Sequence, residues 1–224
     1  MKRVLWFMAS LTLGIMFTAQ STALANSGSL STTAKVTLSG DGSTKPVNPG
    51  EPTDPDDSGN DGTGSKGKLT LDYVPNLTFK QQQVTKGQIV TTATNQGAYV
   101  QISDRRFTGA GWQLQVKPSP LVGEKDFSKI SAAALQLGSA SFAKASTTNV
   151  SASPTVTDSA TSLIPIGSYS LVASANKGTG LGTWLLQVNR SATAPTKLLV
   201  DNAVVKQQQT YQGALTWLLT DTPQ

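Results

Sequence analysis

Apolar and polar residues alternate along most of the chain, in short runs separated by turn-forming residues. Lys68-Leu69-Thr70-Leu71-Asp72-Tyr73 sets Leu69, Leu71 and Tyr73 two residues apart, the period of a strand with one buried face. The same reading predicts strands at Thr33–Leu38, Ile89–Thr94, Ala98–Asp104, Gly111–Lys117, Ala134–Leu137 and Ser162–Ile166. It continues at Leu171–Ala175, Gly182–Asn189, Lys197–Val205 and Gly213–Leu219. Turn signals such as Asn95-Gln96-Gly97, Thr108-Gly109-Ala110-Gly111 and Asn176-Lys177-Gly178 separate them. Many short strands at this spacing predict an antiparallel sandwich or barrel. One segment carries a competing period. From Phe127 to Leu137, Ile130, Ala134 and Leu137 stand three to four apart with alanines between, a helical pattern that overlaps the strand reading. Nothing else in the chain is helix-like.

Tryptophan repeats the strand period in a specific form. Three of the four tryptophans stand in one tripeptide: Trp112-Gln113-Leu114, Trp184-Leu185-Leu186 and Trp217-Leu218-Leu219. Residues two apart share a face, so each tripeptide projects an aromatic ring and a branched aliphatic chain together. Such a pair suits a core, because a sandwich without disulfides needs large inward side chains. It equally suits a glycan platform, on which an indole offers a flat apolar face and an N–H donor. The two uses are reconciled if each motif buries its leucine while Trp112 or Trp217 is partly exposed or lies beneath a binding surface. Trp184, approached through Gly178, Gly180 and Gly182, is assigned to core or to loop bracing.

The ends and the composition refine this picture. Lys2 and Arg3 precede an apolar run from Val4 to Phe17, and Ala23-Leu24-Ala25 supplies a small-x-small cleavage pattern. Residues 1–25 therefore read as a signal peptide, the alternative being a retained anchor; the run is short for a span, and no transmembrane segment is expected in the mature chain. With no cysteine, an exported chain relies on its core alone. Residues 26–67 hold the first strand and a segment, Pro46 to Gly67, with Pro46, Pro49, Pro52 and Pro55 among Gly, Asp, Asn and Ser. That segment is expected to be a long mobile loop or linker. Residues 68–224 form the main body, so the fold class is all-β: an antiparallel Ig-like sandwich with a long Pro/Asp/Gly-rich loop. Asp54, Asp56, Asp57 and Asp61 lack the closing glutamate of an EF-hand, so solvation is expected there rather than a calcium site. From Gly62 to Gln224 there are 14 Lys/Arg against 7 Asp/Glu, a net of +7. That excess suits an anionic wall polymer, although solubility explains it as well.

Catalysis has little to work with. The chain has no histidine and no cysteine, which removes the commonest general base, the thiolate nucleophile and the usual zinc ligands. The body's acids, Asp72, Asp104, Glu124, Asp126, Asp158, Asp201 and Asp221, border turns or strand ends, where solvation and capping are their usual work. No G-x-S-x-G elbow occurs. The expectation is a non-enzymatic protein with no catalytic residues, metal or cofactor. Nucleic acid is not an expected partner either, because export separates the chain from it and the basic residues are dispersed.

The residues around the tryptophans are more specific. Val100–Val116 reads VQISDRRFTGAGWQLQV, and the C-terminal end carries Tyr211, Leu215-Thr216-Trp217-Leu218-Leu219 and Pro223 in a Y-x-x-x-L-T-W-x-L-x-x-x-P setting. Leu69-Thr70-Leu71-Asp72-Tyr73-Val74-Pro75-Asn76-Leu77-Thr78-Phe79 follows the Pro/Asp-rich loop, and Ala175–Trp184 is Gly-rich. In these four ordered blocks, from about Leu30 to the end, the chain resembles the WxL-domain family of Gram-positive surface proteins. It departs at Lys80, where the family usually has glycine, and at Trp184-Leu185-Leu186, a third W-x-L. The resemblance implies a secreted protein on the cell surface, attached noncovalently to peptidoglycan of the Gram-positive cell wall, with anionic wall polymers as a further contact. It also implies other surface proteins of WxL clusters as partners. The chain ends at Gln224 without a sortase signal, hydrophobic tail or lipid-attachment cysteine, which agrees with noncovalent retention. Candidate ligand-binding residues are Trp112, Leu114, Trp217, Leu219, Arg105 and Tyr211, with Arg106 and Lys117 as further cations near the proximal motif. The alternative is a protein–protein interaction module that recruits other surface proteins or host ligands through its sheet edges.

Overall fold

The alternation resolves into fifteen strands in a computed structural model that describes residues 54–83, 87–145 and 151–221. The expected leader and the expected strand Thr33–Leu38 lie outside those residues. The strands are β1 (Leu69–Tyr73), β2 (Gln88–Thr92), β3 (Tyr99–Asp104), β4 (Trp112–Pro118), β5 (Leu121–Gly123), β6 (Lys129–Ile130), β7 (Ala133–Gln136) and β8 (Ser141–Lys144). They continue as β9 (Thr155–Val156), β10 (Ile164–Pro165), β11 (Ser170–Ala175), β12 (Gly182–Gln187), β13 (Lys197–Asp201), β14 (Tyr211–Gln212) and β15 (Leu215–Thr220). Two four-stranded sheets, ordered β1-β3-β12-β8 and β15-β4-β11-β9, carry most of the inward side chains. A third, β10-β7-β13-β2, and a small sheet, β14-β5-β6, complete the set. All pairings between these strands are antiparallel.

The sandwich follows from period two. Along β4, Trp112, Leu114 and Val116 are buried while Gln113, Gln115 and Lys117 are half-exposed. Val100 and Ile102 of β3 and Leu186 of β12 meet that row from the facing sheet. Phe142 of β8 bridges the layers edge-on, its ring centre 6.1 Å from that of Trp112 and 6.4 Å from that of Trp184. Leu135 and Leu137 extend the same core toward the third sheet. A buried polar pin fixes that junction: Asn189 accepts from the Thr196 amide at 2.7 Å and donates to the Asn95 carbonyl at 2.7 Å.

Several local expectations need correction. The helical pattern from Phe127 to Leu137 folds instead as β6 and β7, because β7 finds ladder partners in β10 and β13 and Phe127 takes a left-handed φ of 55°. A one-turn helix does form, but at Asp158–Thr161. The strand expected over Lys197–Val205 ends at Asp201, whose side chain accepts from the Ala203 amide and caps a 3-10 turn at Asn202–Val204. The Lys80 N–H donates to the Thr92 carbonyl at 2.9 Å.

The Pro/Asp-rich segment is also more ordered than a linker from Asp54 onward. Asp57 accepts four hydrogen bonds, from the Tyr73 hydroxyl, the Asn60 side chain, and both the amide and the side chain of Asn76, at 2.8–2.9 Å. The Thr63 amide donates to the Asp72 carbonyl beside β1. Partial burial pushes the Asp57 pKa up, but the donors led by the Asn76 amide outweigh it and hold the carboxyl below its ordinary value. A depressed folded-state pKa means that ionised Asp57 stabilises the docked segment above the unfolded-state pKa, and that this is lost as pH falls through the folded value. Asp54 works in the opposite sense: burial raises its pKa, so its protonation favours the folded form. The Asn76 amide proton should therefore titrate by NMR below the usual aspartate range, and Asp57→Asn should abolish that titration. A midpoint at or above the ordinary aspartate value would contradict this account.

Candidate functional site

The proximal and distal motifs are neighbours in one sheet. β4 and β15 pair without a register break, Trp217 opposite Val116, Leu219 opposite Leu114 and Thr220 opposite Gln113. Both tryptophans point inward. Trp112 retains 1% exposure and Leu114 none, so neither reaches solvent. Trp217 and Leu219 pack on the same core but stay half-buried, because β15 is an edge strand. Trp184, the third copy, is buried at 1% on the opposite sheet.

The Gly-rich connection between β11 and β12 anchors both buried indoles. Trp112 Nε1 donates to the Gly180 carbonyl at 3.3 Å and Trp184 Nε1 to the Leu181 carbonyl at 2.9 Å. Gly180 has φ of 69°, and a Cβ there would lie 2.9 Å from Trp112 Nε1. Gly111, with φ of 85°, lets the chain pass so close to β11 that a Cβ would lie 2.3 Å from the Ala175 carbonyl oxygen.

The other sequence candidates are held by intramolecular contacts. Arg105 donates to the Gly67 carbonyl at 2.7 Å, tying the loop after β3 to the segment before β1. Arg106 forks onto Asp104 at 2.8 and 2.9 Å, donates to the Gly111 carbonyl at 2.7 Å and pairs with Asp221 just beyond β15. The paired carboxylates raise the Arg106 pKa further, so it stays charged. Tyr211 belongs to the small sheet, where its hydroxyl donates to the Gln207 carbonyl at 2.9 Å. These residues do not converge on one surface.

What the motif strands present outward is a different set. Across four strands, Thr155, Ser174, Gln113 and Thr220 form one row. Leu171, Gln115 and Leu218 form the next, and Lys117 stands beside Thr216 in a third. The Lys117 ammonium lies 4.6 Å from the centre of the Tyr169 ring, which is 43% exposed. No carboxylate belongs to these rows. At the other end of β4, Phe107 is 63% exposed with φ of 59°, an uncommon conformation for an aromatic residue. The signal for this face was the alternation of Trp112-Gln113-Leu114-Gln115-Val116-Lys117, in which the glutamines are as regular as the apolar residues.

Several carboxylates of the body have structural partners. Asp72 accepts from Gln101 and Ser103, Asp126 from Ser128 and Gln209, and Asp201 caps its turn. Among the described residues, no cluster of three or more acidic side chains could hold a metal ion, and no helix is long and apolar enough to cross a membrane. No curated protein and no solved structure matches the chain. A family model, described as WxL domain surface cell wall-binding, matches residues 25–223. With that match over nearly its whole length, the chain belongs to the WxL family of surface cell wall-binding domains.

Proposed function

We propose that this domain is exported and attaches noncovalently to peptidoglycan of the Gram-positive wall through the outer face of the sheet β15-β4-β11-β9. The observation that carries the reading is the orientation of the two W-x-L strands. Their tryptophans face the core, so the residues left to meet a ligand are the hydroxyl and amide row and the lysine–tyrosine pair. Hydroxyls and carboxamides both donate and accept, which suits the hydroxyls and acetamido groups of a wall glycan. A face without carboxylates, carrying Lys117, tolerates the anionic groups of stem peptides and wall polymers. Tyr169 and Phe107 are exposed rings able to stack on sugar faces, and they stand at opposite ends of β4. In this reading the buried tryptophans make the platform flat rather than form it, and the carboxylates do structural work rather than catalysis. Other surface proteins of the same clusters are proposed as wall-level partners.

The test is sedimentation of the purified chain with protein-free peptidoglycan. Combined replacement of Gln115 and Tyr169 by alanine should weaken binding about tenfold, roughly 1.4 kcal/mol, with an unchanged melting temperature. Phe107→Ala, measured separately, reports whether the contact reaches the other end of the strand. Unaltered binding in all of these folded variants would move the site elsewhere. Binding that collapses at high ionic strength would assign the main term to Lys117 and the basic body rather than to stacking.

A further inference from the structure

We propose that β15 is a self-docking edge: two copies of this chain pair their β15 strands antiparallel, with Leu218 on the twofold axis. Edge strands ordinarily carry a charge, a proline or a bulge that discourages further pairing. Leu215-Thr216-Trp217-Leu218-Leu219-Thr220 has none of these, and its register against β4 is unbroken. β4 is its one strand partner among the described residues.

Burial along the sheet points the same way. Trp112, Leu114 and Val116 on β4 are at most 1% exposed, while Leu215, Trp217 and Leu219 beside them remain half-exposed. Leu218 adds a side chain 37% exposed on the outer face. Another strand on this edge would complete the burial of that inward row.

The sequence selects a second copy as that strand. With Leu218 on the axis, Leu218 meets the partner's Leu218, Thr216 meets the partner's Thr220, and Trp217 meets the partner's Leu219. Outward, Thr216 pairs with Thr220, and inward, Trp217 pairs with Leu219, both favourable cross-strand combinations; at each end of the contact Leu215 faces the partner's Asp221 just beyond the strand. A slip of one residue turns one copy over, and a slip of two sets Trp217 against itself and Thr216 against Leu218. No charge faces a like charge, since Lys117 sits on β4 and the twofold sends the two lysines to different rows. The contact is isologous and closes as a dimer. It joins two four-stranded sheets, and with them two copies of the outer polar face. The opposite edge, β9, is only two residues long and offers a poor rail.

The chain has no cysteine, so single introduced thiols give a direct readout. Residues opposite one another in an antiparallel pair have Cα atoms about 4.5–5.5 Å apart, inside the usual disulfide range. Leu218→Cys should form a disulfide-linked dimer under mild oxidation. Thr155→Cys on β9 and Thr216→Cys, which faces the partner's Thr220, should remain largely monomeric. Leu218→Lys sets two like charges on the axis and should weaken self-association in sedimentation experiments about tenfold or more, with unchanged circular dichroism. A native chain that stays monomeric at the highest soluble concentration, together with a folded Leu218→Cys variant that does not cross-link, would overturn the proposal and leave the edge to a different protein or to residues of this chain outside the described ones. Equal cross-linking of Thr155→Cys would overturn it as random collision, and preferred cross-linking of Thr216→Cys would overturn the register.

Discussion

Trp112→Ala should destabilise the domain by about 3–5 kcal/mol, enough to unfold a marginal fold, while Trp217→Ala should cost clearly less. The difference lies in where two motifs of the same W-x-L pattern sit. Trp112 is enclosed between the sheets, with Phe142 edge-on to its ring and its indole nitrogen on the Gly180 carbonyl. Truncation there leaves a cavity that a two-sheet core cannot collapse around and frees a carbonyl of the Gly-rich connection. Trp217 lies on the edge strand and is only partly buried, so less apolar area is lost. Urea denaturation of both variants checks the order. Wall binding must then be normalised to the folded fraction, because Trp112→Ala is expected to lose binding only through loss of the fold. A Trp112→Ala protein with native stability and no wall affinity would instead make the indole a direct contact.

Arg106→Ala should be comparably severe, about 3–5 kcal/mol, because it strands a buried carboxylate. The Asp104 side chain is fully buried and receives both arms of the Arg106 fork. The same guanidinium holds the Gly111 carbonyl at the start of the proximal motif and Asp221 at the end of the distal one. Its removal leaves Asp104 desolvated without a counter-charge and releases the C-terminal end of β15. Arg106→Lys should rescue little, since one ammonium cannot span a bidentate carboxylate, a carbonyl and a second carboxylate. The double variant Arg106→Ala with Asp104→Asn should recover part of the loss, because the remaining buried group is then neutral. Hydrogen exchange of the β15 amides checks the local consequence: Thr220 should lose protection before Leu215. Equal stability of Arg106→Ala and the native chain would show that the clamp contributes nothing.

Much of the strand map was legible because short alternating runs bounded by turn residues mark strands. Only β4 alternates cleanly in burial: β3 is buried at every position, and in β1 Thr70 and Asp72 are buried while Leu69 and Leu71 are half-buried. Lys68–Tyr73, Ala98–Asp104 and Gly111–Lys117 each fold within a residue or two of the expected bounds. The short strands β5, β6, β8, β9 and β14 were not legible, since two to four residues carry no period. The Phe127–Leu137 segment showed the limit of local pattern. Its spacing fitted a helix, but ladder partners distant in sequence decided otherwise. The ordering of Asp57 was equally invisible, because its donors Tyr73 and Asn76 are brought to it by the fold.

The site divided along the same line. Repetition of W-x-L on strands established that each motif turns one aromatic and one leucine to the same side, and the surrounding blocks established the family. Which side faced inward was a property of the packed sheets. A period of two is symmetric between an apolar platform and an apolar core, and only the opposing layer of Val100, Ile102, Phe142 and Leu186 breaks that symmetry. The same applies to the unequal burial of Trp112 and Trp217: tripeptides sharing the W-x-L pattern acquire different environments because one strand is interior and the other forms an edge. Strand order is set by long-range hydrogen bonds, and a residue cannot encode its neighbour across a sheet until the chain has folded.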